Sequence, residues 1–195
     1  MSARHTTVWP ALVGLVAIAS CGDAEALPEP DPDEVAPAPE AVSDPGEAEA
    51  LLSLERLQSA TYYLPQYGGD PIRLRLGEFA DEAMERYAKL VEAPVLRADL
   101  DGDGEVEAAV IVAVRSGFQF EANLVAMHAA GGRAAQRAVI ELGPGVVVTG
   151  MRSEGEQLVL DVLRVPSGPA GRPRTETRGF VLDRTGWIEI GEGRE

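Results

Sequence analysis

The chain has 195 residues, room for one ordinary domain plus accessory segments, and is 45% apolar but only 5% aromatic. Its core must therefore be built from Val, Leu, Ala and Ile. A formal charge of -15 argues against a nucleic-acid partner, which needs a basic surface to displace counterions.

The chain opens MSARHTTVWPALVGLVAIASC, with Arg4 and His5 as a short polar n-region and Val8 to Ala19 as an apolar h-region. That run is too short for a membrane span of about 20 residues and fits a signal peptide. It ends Ile18-Ala19-Ser20-Cys21, which resembles the lipobox of bacterial lipoproteins. The resemblance implies cleavage between Ser20 and Cys21, lipid on the Cys21 thiol and acylation of the new amino terminus. Cys21 is the only cysteine, so the mature domain has none left for a disulfide or a zinc site in an oxidising compartment. Two or three acyl chains hold a membrane more firmly than one. Gly22, rather than Asp, follows the cysteine, which favours the outer membrane over the inner.

Residues 21–50 read as the lipidated cysteine and a disordered tether. Ten acids and no Lys or Arg lie between Gly22 and Ala50, among Pro28, Pro30, Pro32, Pro37, Pro39 and Pro45. Such a segment has too little apolar mass to offset its ordering entropy, and proline and like charge extend it. A single globular domain is expected over 51–195. Leu51, Leu54 and Leu57 lie at helical spacing in EAEALLSLERLQSA and predict one short amphipathic helix. IRLRL, Ile72 to Leu76, alternates with period two and predicts a strand.

EFADEAMERYAKLVEAP reads as a helix with Phe79, Ala83, Tyr87 and Leu90 or Val91 on one face, or as a strand; a strand from about Arg86 is preferred. VEAAVIVAV is apolar on both faces and reads as a central, doubly covered strand. EANLVAMH, AQRAVIEL, GVVVTGMR, QLVLDVLRV, TETRGFVLD and GWIEI follow, joined by turns such as Gly131–Gly132 and Gly143–Gly145. The fold expected is α+β, mainly an antiparallel β meander with a short N-terminal helix.

The stretch RADLDGDGEVEAAV carries the clearest chemistry. Calcium needs several hard oxygen ligands in a flexible loop. Numbered from Asp99, the acids Asp99, Asp101 and Asp103 stand at positions one, three and five, Gly104 at six, Glu105 at seven and Glu107 at nine. Position twelve is Val110 instead of a bidentate Glu, so the loop is not an EF-hand. It resembles the DxDxDG loops of FG-GAP and related β-repeat proteins. The competing reading is an Asp/Gly turn whose carboxylates cap local N–H groups.

Catalytic signals are sparse. His5 leaves with the signal peptide, and His128, at a strand end, reads as a half-exposed sheet residue. Ser116 and Ser153 lack a nucleophile elbow, and no P-loop, dinucleotide fingerprint or HExxH motif occurs. Arg164, Arg172, Arg174 and Arg178 surround a Gly/Pro-rich loop that either grips an anion such as a lipid headgroup or is simply solvated.

The segments LQSATY (Leu57 to Tyr62), ADLDGDGEVEAAV (Ala98 to Val110), ELGPGVVV (Glu141 to Val148) and TETRGFVLD follow the lipobox and linker in that order. In this order they resemble a group of uncharacterised envelope lipoproteins, patterned LxNATY, GDLDGDGxEDAAV, GD/GPxVxV and a final hairpin. Ser59 stands where the group has Asn, and the final hairpin lacks the group's adjacent cysteines. The resemblance implies an envelope location and a fold, not a reaction. The expectation is a lipid-anchored, non-enzymatic binding or structural module with one structural calcium ion, facing an unknown protein or other envelope partner. A carboxylate-based hydrolase or carbohydrate-active enzyme is the competing class. Two facing acids in a cleft outside the 99–107 loop would favour the enzyme; acids confined to that loop would favour the module. A third class offers a bare sheet edge to a partner.

Overall fold

The computed structural model describes residues 45–116, 119–166 and 171–191, which belong to one compact unit. The signal peptide, Cys21 and nearly all of the tether lie outside the described residues, as does the tip of the arginine-flanked loop at 167–170. The fold is α+β and dominated by antiparallel sheet.

Helix starts where proline is tolerated. Helix α1 (Pro45–Leu51) carries Pro45 at its first position, where a missing N–H costs nothing. It therefore begins upstream of the boundary expected at Leu51, and Ala48 and Leu51 cluster with Ala129. The single helix expected over this stretch is two: Ser53 is extended (ψ 154°), and α2 (Leu54–Leu57) is one further turn. The break lets Leu52 and Leu57 both reach full burial.

Strands β1 (Thr61–Tyr63) and β2 (Pro71–Arg73) form a small hairpin, with a 3-10 turn at Pro65–Tyr67 between them. The alternation of IRLRL holds as far as Leu74, since Ile72 and Leu74 are buried, but Leu76 is 88% exposed. The strand stops because Leu76 and Gly77 both take positive φ, 53° and 82°, closing a tight turn in which Arg75 and Glu78 exchange backbone hydrogen bonds.

Five strands follow as a meander: β3 (Glu78–Asp81), β4 (Arg86–Ala98), β5 (Glu107–Ser116), β6 (Gln119–Ala130) and β7 (Arg133–Pro144), paired in that order. The ambiguous segment is thus a strand from Arg86. Its pairing with β5 slips between Val91 and Leu96, a stretch that contains Pro94, which has no N–H to give a ladder. A second meander, β8 (Val146–Glu154), β9 (Gln157–Arg164), β10 (Arg174–Asp183) and β11 (Gly186–Ile190), forms a four-stranded sheet.

The larger sheet is the middle layer. On one face Ala108, Val110, Val112 and Val114 of β5 pack with Leu52, Leu57, Tyr62, Ile72 and Leu74. On the other, Ala109 and Ile111 pack with Leu124 of β6 and with Val148, Leu158, Leu160 and Phe180 of the second sheet. Phe180 meets Trp187 edge-to-face with ring centroids 6.4 Å apart. Strand β5 is thus covered on both sides, as its sequence predicts.

The chain passes from one sheet to the other at Gly145, between β7 and β8. Gly145 has φ +67°, and a Cβ there would lie 2.3 Å from the carbonyl oxygen of Val165. Its N–H donates to Phe120 O and its carbonyl accepts from Val165 N at 2.7 Å, so this corner ties both sheets together. Gly145→Ala is expected to lower stability by more than about 2 kcal/mol, adding steric displacement to left-handed strain. Denaturant unfolding would read this directly, and a change within about 0.5 kcal/mol would show that the corner relaxes freely.

Candidate functional site: an acidic loop closed by an arginine

The β4–β5 hairpin is joined by residues 99–106, and its register sets Ala98 opposite Glu107. Leu100 is buried in the core between the two sheets and pins the loop down. The aspartates then organise the backbone around it. Asp99 accepts from Gly102 N at 2.7 Å and, through its other oxygen, from Gly104 N at 3.0 Å. Asp101 accepts from Asp103 N at 3.3 Å, and Asp103 from Glu105 N at 2.8 Å. This is the Asx-turn bonding expected of an Asp/Gly loop, and Gly104, at φ +90°, supplies a conformation that other residues rarely adopt.

Asp99, Asp101 and Glu107 bring carboxylate oxygens within 4.8 Å of one another, so this cluster could hold a metal ion. Asp103 lies at its rim and Glu105 is exposed on the loop. Glu107 is the core of the cluster. Its side chain is fully buried, with one oxygen accepting from Leu100 N at 2.9 Å and the other from Arg137 at 2.9 Å.

Arg137 is the residue the loop pattern did not disclose. It also bonds Asp101 and stands 3.6 Å from Asp103, so one guanidinium faces three carboxylates. The backbone puts it there. Ala126 pairs with Ala138 and Met127 with Gln136, leaving Arg137 as the extra residue of a β-bulge in β7. Bulges re-aim a side chain, and this one directs Arg137 across β6 to the β4–β5 loop. Glu156, in the β8–β9 turn, is a further neighbour: its Oε1 lies 3.6 Å from where a Cβ on Gly102 would sit. Neither residue carries a local sequence signal, since both arrive by tertiary pairing.

Burial pushes the Glu107 carboxyl up from 4.5 to about 7; Leu100 N–H and Arg137 oppose the shift, while Asp101 and Asp103 reinforce it. His128 on β6 is partly buried, and burial followed by Arg137 holds its pKa below the usual 6.5 against Glu105 and Asp103.

Two of the four arginines around the Gly/Pro-rich loop are neutralised. Arg164 pairs with Glu176 at 2.9 Å, and Arg178 grips both oxygens of Glu189 at 2.6 and 2.7 Å while lying over the Phe180 ring. Arg172 and Arg174 are exposed. Ser153 donates to Gly155 O within its own turn. A cavity of about 460 Å³ lies elsewhere, against α2, β1, β2 and β7, and among the described residues no Asp or Glu lines it.

Compared with protein-family models, curated proteins and solved structures, the chain matches none.

Glu107 gives the cluster a pH signature. The folded protein holds this proton more tightly than the unfolded chain, so between pH about 4.5 and about 7 the native state binds more protons. Its contribution to stability therefore falls as pH rises through that window. Thermal melts in chelator should show this decline in the wild type and a flatter profile in Glu107→Gln. Parallel profiles would mean that Glu107 titrates normally.

Proposed function

We propose that the chain is a lipid-anchored protein of the bacterial cell envelope whose β-rich domain is a non-enzymatic binding or structural module, held on Cys21 by an acidic tether. The anchor reading rests on Ile18-Ala19-Ser20-Cys21 closing an apolar run and on the absence of any other cysteine. Gly22 favours the outer membrane. Among the described residues no helix is long and apolar enough to cross a membrane. The module reading is carried by where the carboxylates of the described residues converge: they gather in the 99–107 loop, while the cavity beside β1 and β7 has none among those residues.

The loop is read as a structural calcium site. Three carboxylates on one hairpin supply hard oxygens, each oxygen has lone pairs beyond the one given to an N–H, and the excess of acids over Arg137 suits a divalent cation. Calcium would be held by Asp99, Asp101 and Glu107, with Asp103 and Glu105 at the rim. It would compete with Arg137 for Asp101 and Glu107, so Arg137 is the counter-charge of the metal-free loop. Affinity on the order of 10⁻⁴ to 10⁻³ M is expected, as in extracellular modules.

Calcium titration by calorimetry, with melts in millimolar calcium and in chelator, tests the site. A one-to-one heat and a raised melting point, both lost in Asp101→Ala, are expected. Arg137→Met should melt lower in chelator yet bind calcium more tightly, because a competing cation is gone. No heat in either protein would leave the loop a turn closed by Arg137. The anchor has its own test: mass spectrometry of the membrane-extracted protein should find Cys21 amino-terminal and acylated, and Cys21→Ser should release the protein from the membrane fraction. An unmodified Cys21 on a soluble protein would remove the anchor from the reading.

A further inference from the structure

We propose that the cavity between α2, the β1–β2 hairpin and the start of β7 is an oxyanion site that takes a phosphate group. It is distinct from the acidic loop and does not depend on the calcium reading. Arg56, Arg73 and Arg133 line it, one from each of α2, β2 and β7, together with the hydroxyl-bearing Ser59, Thr61 and Tyr63.

The local fold explains why these side chains converge. In the β1–β2 hairpin Tyr62 and Ile72 are opposite each other and turn into the core, so their neighbours Thr61, Tyr63 and Arg73 take the outer face. Thr61 and Arg73 are direct cross-strand partners. Arg133 follows the Gly131–Gly132 turn at the first position of β7. Gln136 stitches the two pieces together, accepting from Tyr63 N at 2.9 Å and donating to Tyr63 O at 3.0 Å. The space exists because Ala60, Ala134 and Ala135 leave it open.

The charge is what singles this cavity out. In a chain of net charge -15, no carboxylate among the described residues lines it. Arg86, Lys89, Arg137, Arg152, Arg164 and Arg178 all make ion pairs with acids. Arg56, Arg73 and Arg133 make none among the described residues. Three cations held together without counter-charge repel one another, and an anion relieves that repulsion. One guanidinium satisfies a carboxylate by a bidentate pair, whereas three guanidiniums and three hydroxyls match a dianion with three terminal oxygens. A volume of about 460 Å³ exceeds what phosphate alone fills and suits a phosphomonoester with a small organic body. Such a group comes from a soluble metabolite or from a lipid headgroup.

Calorimetry of the full chain with inorganic phosphate and with glycerol 3-phosphate tests the soluble source. Co-sedimentation with vesicles of phosphatidic acid in phosphatidylcholine, against phosphatidylcholine alone, tests the headgroup. The informative variants are Arg73→Gln and Arg133→Gln, singly and together, with Arg174→Gln as an exposed arginine outside the cavity. Melting points confirm that each variant is folded. Saturable one-to-one binding of glycerol 3-phosphate, weakened at least about tenfold in the double variant and unchanged in Arg174→Gln, supports the site and a soluble ligand. An excess of binding to phosphatidic acid that disappears only in the cavity variants supports it with a headgroup ligand. Absence of binding to all three probes, or equal loss in Arg174→Gln, overturns it.

Discussion

Strand β5 has to be apolar on both faces, and the architecture depends on that constraint. Its residues from Ala108 to Val112 are all buried, alternately toward the helices and hairpin on one side and toward the second sheet on the other. Neither cover is large enough to be stable by itself, because a short helix pair and a two-stranded hairpin bury little without a sheet beneath them. Between Ala108 and Val112 a strand so enclosed has no tolerance for charge. Polar chemistry is displaced to its end, where Glu107 is the first residue and still fully buried. A carboxylate in that position must be compensated, which is why Leu100 N–H and Arg137 both converge on it.

Most of the sheet was legible because burial imposes period two on strands and Gly marks the reversals between them. VEAAVIVAV reads as a strand covered twice and is one, and the Gly131–Gly132 turn fell where the sequence suggested, whereas Gly143 and Pro144 continue β7 and only Gly145 turns. What escaped depends on information far away in the chain. Leu76 continues an alternating pattern, yet the turn it closes overrides the pattern and leaves it exposed at positive φ. Ser53 interrupts a helical spacing that Leu51, Leu54 and Leu57 sustain on paper. Within the acidic loop, the aspartates announced themselves by spacing, and their turn bonding could be foreseen. Arg137 could not, because only the bulge in β7 aims it at the loop, and bulges leave little trace in a single sequence.

The two charged features treat electrostatics in opposite ways. At the loop, carboxylates crowd around an arginine supplied from another strand, so the excess of negative charge is partly answered within the protein. At the cavity, arginines from α2, β2 and β7 are brought together with no acid beside them among the described residues. Bringing like charges together opposes folding, and apolar burial beneath them offsets the cost: Leu57, Tyr62 and Ile72 anchor the same elements that carry Arg56, Thr61 and Arg73. The core thus fixes the geometry of both.

From β3 onward, each strand pairs with the one made just before it, except where the chain changes sheets at Gly145. A domain wired this way never has to wait for a distant segment to complete a ladder, and loop-closure costs stay small at each step. For a polypeptide delivered amino-terminus first through a narrow exit, pairing can keep pace with emergence, one hairpin at a time. The first five-stranded layer can be laid down before its second cover exists. Its inner face stays bare until the corner is turned, and that interval is when the chain is most exposed to wrong associations.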